Sequence, residues 1–211
     1  MAEATEERGF SRVADPAPLG LAAFALTTFL LSGHNASFIP DGIWIGAAIS
    51  YGGLTQLLAG MWEFRNRNVF GATAFSTYGG FWLSLGIFVF MISSNTTLNS
   101  VNGVFKDPAQ LHNALAWFVV GFAIFNTYML LWASRLNLAT FAVFLALEIT
   151  LILLAIGFFL VAHGRTDFWL HAGGWAGIAT AAIAWYTSAA GVVNGMGSKP
   201  VVPVGKALWG E

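Results

Sequence analysis

The sequence predicts an all-α integral membrane protein with six transmembrane helices. Of its 211 residues 57% are hydrophobic and only 9% charged, against about 25% charged in an ordinary soluble domain, so too few polar side chains exist to cover a water-facing surface. The apolar residues gather into six runs near the ~20 residues that cross a bilayer core. The breaks between the runs hold clusters of Pro, Gly, Asn and charged residues.

Residues 1–14 are polar, carrying Glu3, Glu6, Glu7, Arg8 and Arg12. They lack the apolar core and small-residue cleavage site of a signal peptide and read as a cytoplasmic arm. A membrane domain is expected over residues 15–194, with residues 195–211 as a cytoplasmic tail. The first run, 19–36, follows Asp15-Pro16-Ala17-Pro18-Leu19-Gly20; proline is tolerated where a helix starts, and an acidic side chain there caps free N–H groups. The second run, 43–62, opens after Pro40-Asp41-Gly42, and the third, 72–92, after Arg65-Asn66-Arg67-Asn68. Asp107-Pro108 precedes the fourth, 111–133; Arg135-Leu136-Asn137 the fifth, 138–162; and Gly164-Arg165-Thr166-Asp167 the sixth, 168–193. Each break supplies helix breakers, caps and charge. No linker suggests a second domain.

Basic residues orient the chain. Arg8, Arg12, Arg65, Arg67, Arg135, Lys199 and Lys206 fall on one side of a six-span arrangement, and only Lys106 and Arg165 on the other, so both termini are expected in the cytoplasm. Asn95-Thr96-Thr97, in the largest external loop, fits a glycosylation acceptor in a eukaryotic host only.

Several chemistries are excluded by absence. There is no cysteine, hence no disulfide, thiolate metal site or cysteine nucleophile. Every lysine lies outside the runs, so none can hold a retinal Schiff base, and neither a His-Glu-x-x-His motif nor a Gly-x-x-x-x-Gly-Lys loop is present. The net charge of −1 gives no sign of a nucleic-acid partner. His34, His112, His163 and His171 sit near segment ends, where hydration suffices. A protein that is not an enzyme and binds no cofactor or metal is expected.

Small residues at helical spacing, Gly42/Gly46, Gly173/Gly177 and Gly191/Gly195, fit close approach of membrane helices. Trp44, Trp62, Trp132, Trp169 and Trp209 fall near expected bilayer interfaces, and Trp82, Trp117, Trp175 and Trp185 are expected in the core. Polar residues inside the runs carry more information, because in hydrocarbon they need a partner. Glu148 stands mid-segment with no Lys or Arg in any run to neutralise it. If the fourth and fifth segments form a hairpin turning at Arg135-Leu136, Asn126 lies roughly 3–5 Å from its depth at 1.5 Å per residue, so Asn126 or Thr127 can hydrogen-bond it. Either Glu148 exchanges a proton during function or it is a protonated packing residue. Gln56, with Glu63 two turns further on the same face, either lines a water-filled route or bonds between helices.

The ordered motifs carry a resemblance. Asp15 to Leu21 repeats Asn-Pro-Ala-Pro-Leu-Gly-Leu with Asp for Asn, followed by Phe24-Ala25-Leu26-Thr27-Thr28 and His34-Asn35. Then come Tyr51-Gly52-Gly53 with Gln56, Ala59-Gly60 with Glu63, and Asn68-Val69-Phe70-Gly71-Ala72-Thr73-Ala74-Phe75-Ser76-Thr77-Tyr78-Gly79. Phe81-Trp82-Leu83, Leu154-Ala155-Ile156-Gly157 and His171-Ala172-Gly173-Gly174-Trp175 complete the set. From Asp15 to about Asn194 the chain resembles the microbial acetate uptake transporter family, which includes acetate/succinate-proton symporters and acetate channels.

The resemblance implies a six-helix protomer in the plasma membrane, assembled as a homo-hexamer, each protomer holding its own pathway for small carboxylates, with protons as a candidate co-substrate. It implies a constriction formed by Phe24, Tyr78 and Leu147, the last placed by counting back from Leu154-Ala155-Ile156-Gly157; Thr77 replaces the usual Ser before the tyrosine. Phe24 and Leu147 offer an apolar collar, and the Tyr78 hydroxyl can donate to a carboxylate. Passage by the neutral acid or by the anion both stay open. Glu148, unusual beside the constriction leucine, motivates the hypothesis that it makes uptake sensitive to pH; neighbouring helical residues point about 100° apart, so Leu147 and Glu148 cannot both face the pathway. Gln56, Asn126 and Glu148 are thus candidate pathway or proton-coupling residues, and Asp15, Pro16, Pro18 and Gly20 form the opening motif. The competing class is a membrane-embedded assembly subunit without flux of its own.

Overall fold

The structure, a computed structural model, describes residues 13–93, 107–197 and 199–209. The Asn95-Thr96-Thr97 acceptor, Lys106 and nearly all of the N-terminal arm lie outside the described residues. Among the described residues five helices are long and apolar enough to cross a membrane: α1 (Ala17–Asn35), α4 (Val69–Ser93), α5 (Pro108–Ala133), α6 (Leu138–Ala162) and α7 (Phe168–Met196). Between α1 and α4, residues 43–65 are continuously helical, as α2 (Ile43–Ala47), a π-helical stretch (Ala48–Thr55) and α3 (Gln56–Arg65), with turns on either side. No strand occurs among the described residues.

Helix starts follow the local chemistry. Asp107 Oδ1 accepts from Ala109 N at 2.9 Å ahead of Pro108, Asn137 Oδ1 from Thr140 N at 2.8 Å and Asn68 Oδ1 from Gly71 N at 3.0 Å, each satisfying an N–H that the first helical turn leaves free. The π stretch was not expected. It contains Tyr51-Gly52-Gly53, and Gly52 lies so close to Thr27 of α1 that a Cβ there would sit 2.6 Å from its Oγ1. An i→i+5 turn holds one residue more than an α turn, which rotates everything after it, Gln56 included.

The helices pack side by side in the order α5, α6, α7, α1, the broken helix and α4, and the ring closes loosely where α4 meets α5. Small residues set the tight seams. On α7, Gly173 abuts Leu154 of α6 while Gly174 and Gly177 meet the Ser32–Ala36 end of α1; Thr150 and Thr180 hydrogen-bond across α6 and α7 at 3.1 Å. The other two glycine pairs behave differently: Gly191 faces Pro18, but Gly42, Gly46 and Gly195 face open space.

Trp82 is buried, as expected, whereas Trp117 and Trp175 are 63% and 60% exposed and Trp185 is also outward-facing. Segments apolar on every face do not declare which face turns inward, and these rings cover the outside. Trp44, expected at an interface, is buried with its Nε1 donating to Asp41 at 2.9 Å. Beyond Met196 the tail folds back: Ala139 N donates to Val204 O at 2.9 Å and Leu208 N to Ser134 O at 2.8 Å, strapping it over the α5–α6 turn.

Candidate functional site

Two cavities enter the helix ring from opposite ends. The first, about 280 Å³, opens among Asp15, Asn66, Asn68, Asn137 and Thr140 and narrows to Phe24, Tyr78, Phe144 and Leu147. The second, about 360 Å³, opens among His34, Asn35, Asp41 and His112 and narrows to Phe81, Leu85, Leu151 and Leu154. Leu147 lines the first and Leu151 the second, only one turn or about 6 Å apart along α6; Tyr78 and Phe81 divide α4 similarly, at about 4.5 Å. A short apolar collar therefore separates two openings.

Phe24, Tyr78 and Leu147 come together at that collar. They are 5%, 5% and 6% exposed, and the Phe24 and Tyr78 rings lie 5.7 Å apart. Each is held by its own helix. Asp15 Oδ1 accepts from Ala17 N at 2.9 Å, Pro16 O accepts from Gly20 N at 3.1 Å, and Gly20 rests against the Phe75 ring, where a Cβ would come within 2.7 Å. Pro18 packs on Gly191, and its carbonyl accepts from Ser188 Oγ at 2.6 Å. The opening motif thus fixes the start of α1 against α4 and α7, two turns of chain from Phe24.

Behind the collar lies a buried hydrogen-bond chain. Tyr78 Oη donates to Asn126 Oδ1 at 2.6 Å; Asn126 Nδ2 donates to Phe144 O at 3.0 Å and to Glu148 Oε2 at 2.7 Å; Thr127 Oγ1 donates to Glu148 Oε1 at 2.8 Å. Both expected partners of Glu148 are therefore present. Neither Asn126 nor Glu148 lines either cavity. The expectation that the Tyr78 proton is available to a carboxylate needs correction, since Asn126 already holds it.

Gln56 does line the first cavity; it is 1% exposed and its Oε1 has no hydrogen-bond partner. Glu63 is fully buried, with Oε2 accepting from Asn66 Nδ2 at 3.1 Å, and does not reach that cavity. The histidines take local partners: His112 and His163 contact backbone carbonyls of their own helices, His171 lies 2.8 Å from Ser37 Oγ, and His34 Nε2 lies 3.7 Å from Asp41 Oδ1.

This geometry can be set beside known proteins. The profile of the GPR1/FUN34/yaaH family matches residues 4–207. The chain belongs to that family. It is 41% identical over 209 residues to acetate permease A of Emericella nidulans, spanning 94% of this chain and 68% of that protein. It is 33% identical over 200 residues to the succinate-acetate/proton symporter SatP of Escherichia coli, spanning 94% and 99%. A solved structure of the bacterial acetate channel SatP matches with a TM-score of 0.79 at 34% identity, covering 92% of this chain and 99% of the other. These relatives carry the names of transporters and channels, not enzymes.

Within this family member, sequence reasoning missed three features of the site. Phe144, three residues before Leu147 and hence on the same helical face, was discoverable from spacing; its ring lies 6.3 Å from that of Tyr78. The second opening, with His34 and Asp41, carried only the signal of polar residues at segment ends. The Tyr78–Asn126 bond joins positions 48 residues apart, and no sequence pattern links them.

Proposed function

We propose that this chain moves short-chain carboxylates, chiefly acetate with succinate as a second substrate, across the plasma membrane through a pathway inside each protomer, as a channel or proton symporter. The carrying observation is the pair of cavities meeting at an apolar collar about one helical turn thick. In this reading Phe24, Tyr78 and Leu147 form the constriction. Gln56 supplies a polar contact on the cavity wall, and Asn126 and Glu148 act on the gate through Tyr78 and not by facing the substrate.

The broken helix over residues 43–65 serves as the sixth span. Arg65, Arg67, Arg135, Lys199 and Lys206 gather at the end holding the first opening, which supports a cytoplasmic placement of that end and of both termini. Outward apolar side chains such as Leu58, Trp117 and Leu131, 51%, 63% and 64% exposed, suit lipid or neighbouring copies, and a homo-hexamer follows from the family resemblance. The test is labelled-acetate uptake into liposomes containing only this protein. Uptake above protein-free liposomes is expected; none under any gradient favours an assembly subunit instead.

A further inference from the structure

A count of protons around Asn126 restricts what Tyr78 can do. The Phe144 backbone carbonyl can only accept hydrogen bonds. It lies 3.0 Å from one terminal atom of the Asn126 amide, which must therefore be the nitrogen, and the same atom reaches Glu148 Oε2 at 2.7 Å. The other terminal atom is then the oxygen, and it lies 2.6 Å from Tyr78 Oη. An amide oxygen accepts only, so the single hydroxyl proton of Tyr78 is committed to it. What Tyr78 retains for the cavity is a lone pair.

The surroundings favour a donor as the arriving group. Gln56 lines the same cavity with its Oε1 buried and without partner, and its amide carries N–H donors as well as that acceptor, so it can meet either form of an acid and the choice falls to Tyr78. No Lys, Arg or His lines that cavity among the described residues, and its one ionisable carboxyl is Asp15 at the mouth. The titratable groups facing Tyr78 from the packed helices are Glu148 on α6, through Asn126, and Tyr128 on α5, with Glu63 on α3 beyond the cavity wall; none is a cation. A carboxylate reaching the collar meets an acceptor and no positive charge. A protonated carboxylic acid brings the O–H that Tyr78 Oη can accept.

We propose that Asn126 is a specificity-determining residue: by locking the Tyr78 proton it makes the constriction admit carboxylic acids in their neutral form, the acid O–H donating to Tyr78 Oη. This rests on the reading of Phe24, Tyr78 and Leu147 as the transport constriction. Each acid carries its own proton through the collar and releases it on the far side, so one proton and one carboxylate cross together with no net charge.

The experiment measures initial labelled-acetate uptake into strongly buffered liposomes, with protein-free liposomes subtracted and potassium diffusion potentials of either sign imposed by valinomycin. Uptake by the parent protein is expected to ignore the potential and, at fixed total acetate, to fall about tenfold per pH unit above pH 6, because an acid of pKa about 4.3 loses its neutral form at that rate. Tyr78→Phe, which keeps the ring and removes the acceptor, is expected to lower protein-dependent uptake at least about fivefold, as loss of one net hydrogen bond of about 1 kcal/mol gives. Asn126→Leu frees the Tyr78 proton for an anion and is expected to create a potential-driven component. Acceleration of parent uptake by an inside-positive potential, or parent-level uptake by Tyr78→Phe, overturns the proposal while leaving acetate transport intact. Absence of protein-dependent uptake under all conditions overturns both.

Discussion

Leu147→Ala tests the collar on its α6 side, where a single turn separates the two cavities. Leu147 is 6% exposed, and truncation removes three side-chain carbons and the packing contacts they make between the helices, the main source of stability inside a bilayer. One flank already faces the first cavity, so truncation enlarges an existing space and the stability cost falls at the low end of the ~2–5 kcal/mol seen for buried Leu→Ala. On the transport side, the two cavities are separated along α6 by the single turn from Leu147 to Leu151. Removing the first of these leucines widens the collar on that side and relieves a larger substrate most. Relief of about 1.4 kcal/mol more for succinate than for acetate raises their flux ratio roughly tenfold. The assay is parallel uptake of labelled acetate and succinate at pH 5 into liposomes holding equal amounts of folded parent or variant protein, folding being checked by thermal unfolding in detergent. A succinate-to-acetate ratio unchanged in well-folded variant protein refutes the placement of Leu147 at the constriction.

Gly79→Ala is expected to destabilise the protein by about 1–3 kcal/mol, the usual cost of overpacking, because its Cβ would lie 2.7 Å from the Leu57 backbone nitrogen; thermal unfolding in detergent checks it. Asp15→Asn should keep the parent's melting temperature, since either side-chain oxygen can accept from Ala17 N, whereas Asp15→Ala loses that single exposed bond and at most about 1 kcal/mol. Acetate uptake by Asp15→Asn should change less than about twofold, because a neutral acid does not feel the charge; a roughly threefold rise, as removing a unit charge ~7 Å away in water gives, marks anion passage. Glu148→Gln should retain the steep pH fall set by the substrate itself and alter only what Glu148 adds through Asn126. A pH profile identical to the parent's then leaves Glu148 as a packing residue.

The helices were legible because their breaks are chemically sharp: Asp107, Asn137 and Asn68 bind the first turns of their helices as their residue types imply. Leu147, placed by counting from a later motif, lines the cavity with Phe24 and Tyr78, and the depth estimate brought Asn126 and Thr127 to Glu148. Facing was far less legible. Trp117 and Trp175 turn outward because a segment apolar on all sides has no amphipathic stripe to read. The π stretch stayed hidden because its composition matches the α-helix around it, although it sets the direction of Gln56. The commitment of the Tyr78 proton depends on which atom of one amide faces one carbonyl, which is a property of three-dimensional contact alone.

That commitment bears on the choice between channel and proton symporter. A channel that admits every form of a carboxylate equilibrates the anion along its own gradient and the membrane potential. A channel that admits only the neutral acid equilibrates the acid, whose concentration on each side is fixed by the product of proton and carboxylate concentrations. Across a pH difference of one unit it concentrates total carboxylate about tenfold on the alkaline side, a free-energy difference of about 1.4 kcal/mol drawn from the proton gradient. Accumulation against a carboxylate gradient, usually taken as the mark of a coupled carrier, is then produced by a collar without alternating access. Saturation separates the two cases. A carrier that must reorient saturates as its sites fill, whereas a passive collar meeting a rare neutral acid stays linear in total acetate until that acid occupies Tyr78. If uptake saturates at total acetate concentrations that scale tenfold with each pH unit, the acid is what binds, and the proton requirement belongs to the substrate and not to a titrating side chain.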